Sequence, residues 1–90
     1  MRKQVRVLYS GRVQGVGFRF SAKHIADGLS IDGWVRNLPD GKVEIAAEAD
    51  EGALKTFLDK VHSYFSSYIR DATSEWSPAT GEYNNFQIRF

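Results

Sequence analysis

Arg19 follows a run with three glycines in seven positions, Gly11-Arg12-Val13-Gln14-Gly15-Val16-Gly17-Phe18-Arg19. Glycines at this density let a loop fold tightly enough for several backbone N–H groups to converge, and such a nest suits a phosphate-sized anion. Arg19 would add a planar fork that grips two phosphoryl oxygens at once, which a flexible lysine does less well. Neither common nucleotide fingerprint fits. Walker A needs Lys-Ser or Lys-Thr after its last glycine, and the dinucleotide motif needs a further glycine where Phe20 stands. The residues alone also admit a plainer arrangement, a tight connection with Arg19 paired to a surface carboxylate. A second segment, Gly33-Trp34-Val35-Arg36-Asn37-Leu38-Pro39-Asp40-Gly41, places Asn37 at a strand end before a turn. There an Asn often does no more than cap local backbone.

The elements that must position these residues follow from hydrophobic period. Val5, Val7 and Tyr9 alternate with Arg6, Leu8 and Ser10, the pattern of a strand with one buried face. Phe18, Ala22, Ile25, Ala26 and Leu29 then recur at helical spacing, so a helix of about three turns closes near Gly28, and loop 11–17 sits at its N-terminus. Ile31 to Leu38 and Lys42 to Ala49 read as a hairpin around Pro39-Asp40-Gly41. Asp50 is positioned as N-cap of a second helix with an apolar stripe of Leu54, Phe57, Leu58, Val61, Tyr64 and Phe65. Tyr68 to Trp76 and Asn84 to Phe90 are extended, flanking a loop from Ser77 to Gly81. The order is βαββαβ with an added C-terminal strand. It predicts an α+β, ferredoxin-like split βαβ sandwich in one domain spanning residues 1–90, with two helices on one face of a mostly antiparallel sheet and the other face open. Many functions use this fold, so it does not choose among them.

Composition narrows the chemistry. The chain has 90 residues and no cysteine, which removes thiolate metal sites, Cys nucleophiles and disulfides. Twelve basic against eleven acidic side chains leave a net charge of +1, far from a dedicated nucleic-acid binder. The balance is uneven: residues 1–42 hold eight cations against three carboxylates, a surplus of +5, and the remainder four against eight, −4. An anion site is therefore expected in the first half. No apolar run approaches the ~20 residues of a membrane span, and Arg6 interrupts the only candidate signal-peptide core, so a cytoplasmic protein without membrane association is expected.

Other candidates are weaker. His24 lies off the apolar stripe and His62 sits on the second helix; both read as solvent-facing structural residues. No His or carboxylate pair has metal-ligand spacing backed by a second motif, and no metal or cofactor is expected. Ser10 and Ser21 flank the loop, but no base is placed to activate either. Phe18, Phe20, Phe57, Phe65 and Trp76 read mainly as core.

Taken together, Gly-Arg-Val-Gln-Gly-Val-Gly-Phe-Arg after the first strand and Gly-Trp-Val-Arg-Asn-Leu-Pro-Asp-Gly-Lys-Val-Glu across the hairpin closely resemble the acylphosphatase family. The resemblance spans essentially the whole chain, including the Thr80-Gly81-Glu82 approach to the last strand. It implies hydrolysis of acyl phosphates to carboxylate and inorganic phosphate. It also implies that Arg19 and the backbone amides of Gln14, Gly15, Val16, Gly17 and Phe18 hold the phosphoryl group, while Asn37 positions the attacking water. The economy is physically sensible. A carboxylate leaves without a proton from a general acid, and phosphoryl transfer through a loose transition state needs chiefly positioning and charge stabilisation.

The chain departs from the family pattern where many relatives alternate valines before the strand-four tryptophan; here Ala72 and Ser74 precede Trp76, and Ser63 to Tyr68 lacks a frequent Gly-Pro turn. Looser packing of the second helix and fourth strand is expected. The rival class is an anion-binding module of the same fold, such as the acylphosphatase-like domain of carbamoyl-transferring hydrogenase-maturation proteins; a chain ending at Phe90 favours the independent enzyme. An RNA-recognition domain would need basic and aromatic residues where Val43-Glu44-Ile45-Ala46-Ala47-Glu48 stands. The expected partners are a small-molecule acyl phosphate and its phosphate product, with no nucleic acid, and the expected state is a monomer.

Overall fold

The computed structural model describes residues 1–90, in the order β1 (Arg2–Gly11), α1 (Phe18–Gly28), β2 (Asp32–Asn37), β3 (Val43–Asp50), α2 (Glu51–Tyr64), β4 (Ile69–Pro78) and β5 (Phe86–Arg89). The strands form one sheet in the order β4-β1-β3-β2-β5. β1 pairs antiparallel with β3 and β4, β2 antiparallel with β3, and only β5 runs parallel, on β2. This is the split βαβ arrangement with a fifth strand added at the β2 edge.

The alternation in β1 works as its spacing predicts: Val5, Val7 and Tyr9 are fully buried beside Val43, Ile45, Ala47 and Ala49 of β3. Phe18, Ala22 and Ala26 of α1 and Leu54, Phe57, Leu58 and Val61 of α2 close over that face. The opposite face is not bare. Trp34 is buried there under three guanidinium groups, those of Arg6, Arg36 and Arg89, at 5.5, 5.0 and 4.8 Å from its ring. Glu48 is fully buried, and it accepts from Gln4 Nε2, Thr80 N, Thr80 Oγ1 and Gly81 N at 2.7–3.0 Å. Desolvation raises the Glu48 pKa, but these donors outweigh it and hold the carboxyl below its ordinary value. The carboxylate thereby fastens the Thr80-Gly81 approach to β5.

Several side chains differ from expectation. By register Ala72, Ser74 and Trp76 lie opposite the buried Tyr9, Val7 and Val5, yet all three are exposed, because β4 is an edge strand beyond the cover of the helices. Trp76 is not core, and neither is Phe20, which is 65% exposed. Tyr64, the last residue of α2, stands outside the stripe, 68% exposed in the groove beside Ile25. Asp50 occupies the N-cap position but makes no side-chain cap bond; as the residue that ends β3 opposite Arg2, it meets the Met1 amino group at 3.5 Å instead.

His62 is half-buried rather than solvent-facing, with Nε2 3.0 Å from the Tyr9 hydroxyl. Burial pushes the His62 pKa below its ordinary 6.5, against a smaller opposing pull from Asp59, and burial raises that of Tyr9. Above that lowered value the imidazole is neutral, and it shares one hydrogen with the Tyr9 hydroxyl. A depressed histidine pKa means that the unfolded chain binds the proton first. Its contribution is present above about pH 6.5 and is lost as the pH falls through the folded value. The urea midpoint should accordingly drop between pH 7 and 5.5, and His62→Gln, whose amide can hydrogen-bond to Tyr9 in either sense without titrating, should flatten that slope.

Candidate active site

β1 ends in an irregularity of its pairing with β4 between Ser10 and Gly11, and Arg12 N donates to Tyr68 O at 2.9 Å. The chain then crosses to α1 through residues 12–17. Two apolar residues fix the ends of this loop: Val13 is fully buried, and Phe18 packs its ring 5.1 Å from Tyr9 and 4.5 Å from Phe65. Between them Gly15 and Gly17 take left-handed backbone, φ 78° and 79°, which L side chains rarely adopt. The loop therefore turns its amides together without a side chain in the way.

Those amides are unused. None of the N–H groups from Gln14 to Phe18 donates to a backbone or side-chain acceptor. Gly17 is the N-cap of α1 and supplies no side-chain cap, and the first turn of the helix holds no acidic residue. A run of free donors at the positive end of an 11-residue helix is suited to hold an anion. Arg19 stands in that first turn, and no carboxylate neutralises it: it takes part in none of the nine ion pairs. The alternative that it serves a surface salt bridge is thus set aside. Its guanidinium carbon lies 5.0 Å from the ring of Phe90.

Asn37 closes the other side. A cavity of about 200 Å³ is lined by Val13, Gly15, Gly17, Phe18, Arg19, Phe20 and Asn37, so the fold brings the two distant sequence segments to one place. Asn37 Oδ1 is buried and accepts no hydrogen bond. Buried acceptors are nearly always paired, so an unpaired one on a residue that lines the cavity marks a position where something else donates.

Gln14 and Val16 do not line the cavity. Val16 packs partly buried against the core. The Gln14 side chain donates both amide hydrogens across to the β2–β3 turn, to Leu38 O at 2.8 Å and Lys42 O at 2.9 Å. That brace ties the loop directly to the residue after Asn37. Sequence reasoning assigned Gln14 only a backbone role, and nothing local in the sequence announces a contact 24 and 28 residues away. Phe20 was also missed as a lining residue, although its place off the helical stripe was visible. Ser10 and Ser21 are not in the cavity, His24 is exposed, and no three His, Cys, Asp or Glu side chains gather where they could hold a metal ion.

Comparison with known proteins finds relatives over nearly the whole chain. The family model described as Acylphosphatase matches residues 5–88. The chain is 42% identical to an acylphosphatase of Rubrobacter xylanophilus over 88 residues, covering 97% of this chain and 80% of that one. It is 40% identical to an acylphosphatase of Anaeromyxobacter dehalogenans over 90 residues, covering 99% and 97%. The crystal structure of acylphosphatase from Bacillus subtilis superposes with a TM-score of 0.91 at 39% identity, covering 98% of this chain and 99% of that one.

Proposed function

The chain belongs to the acylphosphatase family and hydrolyses acyl phosphates to carboxylate and inorganic phosphate, and on that footing we propose that Arg19 and the loop amides from Gln14 to Phe18 hold the phosphoryl group while Asn37 orients the attacking water. The observation that carries the assignment is the coincidence, around one cavity, of unused loop amides, an unpaired arginine and a buried acceptor without a donor.

Arg19 and the amides meet the charge on the phosphoryl oxygens, and they do so with dipoles fixed before substrate arrives, so little reorganisation is needed as charge shifts in the transition state. Asn37 Oδ1 accepts one water hydrogen and directs the lone pair of the water oxygen at phosphorus. The new P–O bond forms as the P–O bond to the acyl carboxylate breaks, and the bonding pair leaves on the carboxylate. Asn37 cannot take up the water proton at neutral pH, and no carboxylate or histidine lines the cavity. A non-bridging phosphoryl oxygen takes it, giving dihydrogen phosphate and a free carboxylate with atoms and charge balanced.

We assign the enzyme to the cytoplasm as a monomer acting without metal or nucleic acid. The near-neutral net charge and the acidic β3 support the last point, and no helix is long and apolar enough to cross a membrane. Hydrolysis of benzoyl phosphate in ¹⁸O-labelled water tests the mechanism. The label should appear in inorganic phosphate; label in benzoate would mean attack at the carbonyl carbon and overturn the assignment of roles.

A further inference from the structure

The strand order leaves the two halves of the site without a direct link through the sheet. Loop 12–17 follows β1 and Asn37 ends β2, and β3 lies between those strands, so no ladder pairs them. Tyr9, Val43 and Asn37 form the last row across the three strands. Beyond that row β1 pairs only with β4, through Ser10 and Gly11, and it has no partner on the Asn37 side. The Gln14 side chain is what crosses back. Its Nε2 donates to Leu38 O at 2.8 Å and to Lys42 O at 2.9 Å, and no other hydrogen bond joins residues 12–17 to residues 37–42.

The β2–β3 turn closes with bonds of its own. Leu38 N donates to Lys42 O at 2.8 Å, Gly41 N to Leu38 O at 3.1 Å and Lys42 N to Asp40 Oδ1 at 3.1 Å. Each carbonyl that Gln14 reaches therefore already has a backbone donor, and Gln14 fills its second lone pair. The loop is likewise anchored by other residues, by buried Val13 and Phe18 and by left-handed backbone at Gly15 and Gly17. What neither segment sets alone is its place relative to the other. Gln14 does not line the cavity, but it precedes Gly15 and holds the residue after Asn37, and those two neighbours do line it. We propose that the Gln14 side chain is a positioning residue of the reaction, fixing the phosphate-holding amides against the Asn37 oxygen so that water and phosphorus meet in line. The inference rests on the roles assigned above to the loop and to Asn37. In-line attack tolerates little error, and a misplacement of about 1 Å costs on the order of 10²-fold in rate.

Gln14→Met keeps the length of the side chain and removes both donors. With benzoyl phosphate it should lose about 10- to 10²-fold in kcat, while inhibition by inorganic phosphate changes by less than about threefold, because Arg19 and the amides remain. The same substitution is then made in an Asn37→Ala background. If Gln14 acts through Asn37, it should cost less than about twofold there, whereas a merely structural role would cost the same in both backgrounds. Gln14→Glu supplies a second readout of similar shape. Its carboxylate has no hydrogen to donate to the two carbonyls, but its protonated form has one, so its kcat relative to the unmodified enzyme should recover as the pH is lowered from about 7 to about 5. Unchanged kcat in Gln14→Met, equal costs in both backgrounds, phosphate inhibition that weakens in step with kcat, or no recovery of Gln14→Glu in acid would each overturn the positioning role alone. Absence of phosphate inhibition in the unmodified enzyme would overturn the phosphate-site assignment and the positioning role with it.

Discussion

Asn37→Ala should lose about 10²- to 10³-fold in kcat for benzoyl phosphate, the range found when one preorganised polar contact to the reacting atoms is removed. Asn37 Oδ1 is buried without a donor, so the substitution breaks no existing hydrogen bond of that oxygen in the free enzyme. The residue closes β2, where its backbone pairs with Val43, and an alanine can keep that pairing. The fold should therefore survive, and the loss should fall on the chemical step. In the proposed role positioning is the whole of the contribution: without the amide oxygen, water would still enter a cavity of about 200 Å³ but would no longer be aligned with phosphorus. The expected signature is a fall in kcat with little change in KM, the mark of an interaction made with the attacking water rather than with bound substrate. Steady-state kinetics on the purified variant, with a circular dichroism spectrum to confirm folding, reads this directly.

The second large effect is expected at Arg19. Arg19→Lys keeps the charge and removes the planar fork, so a site needing only a cation would tolerate it. A site built for two phosphoryl oxygens would not. The variant should lose about 10²-fold in kcat/KM, and phosphate inhibition should weaken by about tenfold, because the fork contacts ground state and transition state alike. Arg19 has no carboxylate partner, so any effect of its replacement cannot be assigned to a broken ion pair. Its contact with the Phe90 ring is the one interaction of the guanidinium disturbed in the free enzyme, and Phe90→Ala serves as the control for that contribution.

Much of this geometry could be read from residue order. The alternation of Val5, Val7 and Tyr9, the stripe from Phe18 to Ala26, and the turn at Pro39-Asp40-Gly41 each reflect local rules, and the structure keeps all three. The glycine spacing was legible for the same reason, since left-handed backbone at Gly15 and Gly17 is a demand on single residues. What could not be read was how far one layer covers another. Trp76 sits on the correct face of β4 and is still exposed, because period tells a side chain which way to point and not whether a helix lies above it. Glu48 had the same difficulty in reverse: an acidic residue on the outer face of β3 is fully buried because Thr80 and Gly81, 32 and 33 residues further on, fold over it. The Gln14 brace depends likewise on a contact between distant segments. Phe20 is a different case. Its aromatic ring reads as core, and the structure exposes it because it stands off the buried stripe of α1, one residue after Arg19.

One measurement bears most directly on the separation of roles between the loop and Asn37: the dissociation constant of inorganic phosphate for Asn37→Ala, set beside that of the unmodified enzyme in the same buffer. If the loop amides and Arg19 hold the phosphoryl group and Asn37 acts on water alone, the two constants should agree within about twofold while kcat differs by about 10²-fold or more. Phosphate binding that weakens in proportion to the loss of turnover would contradict that division and make Asn37 a ligand of the phosphoryl group itself.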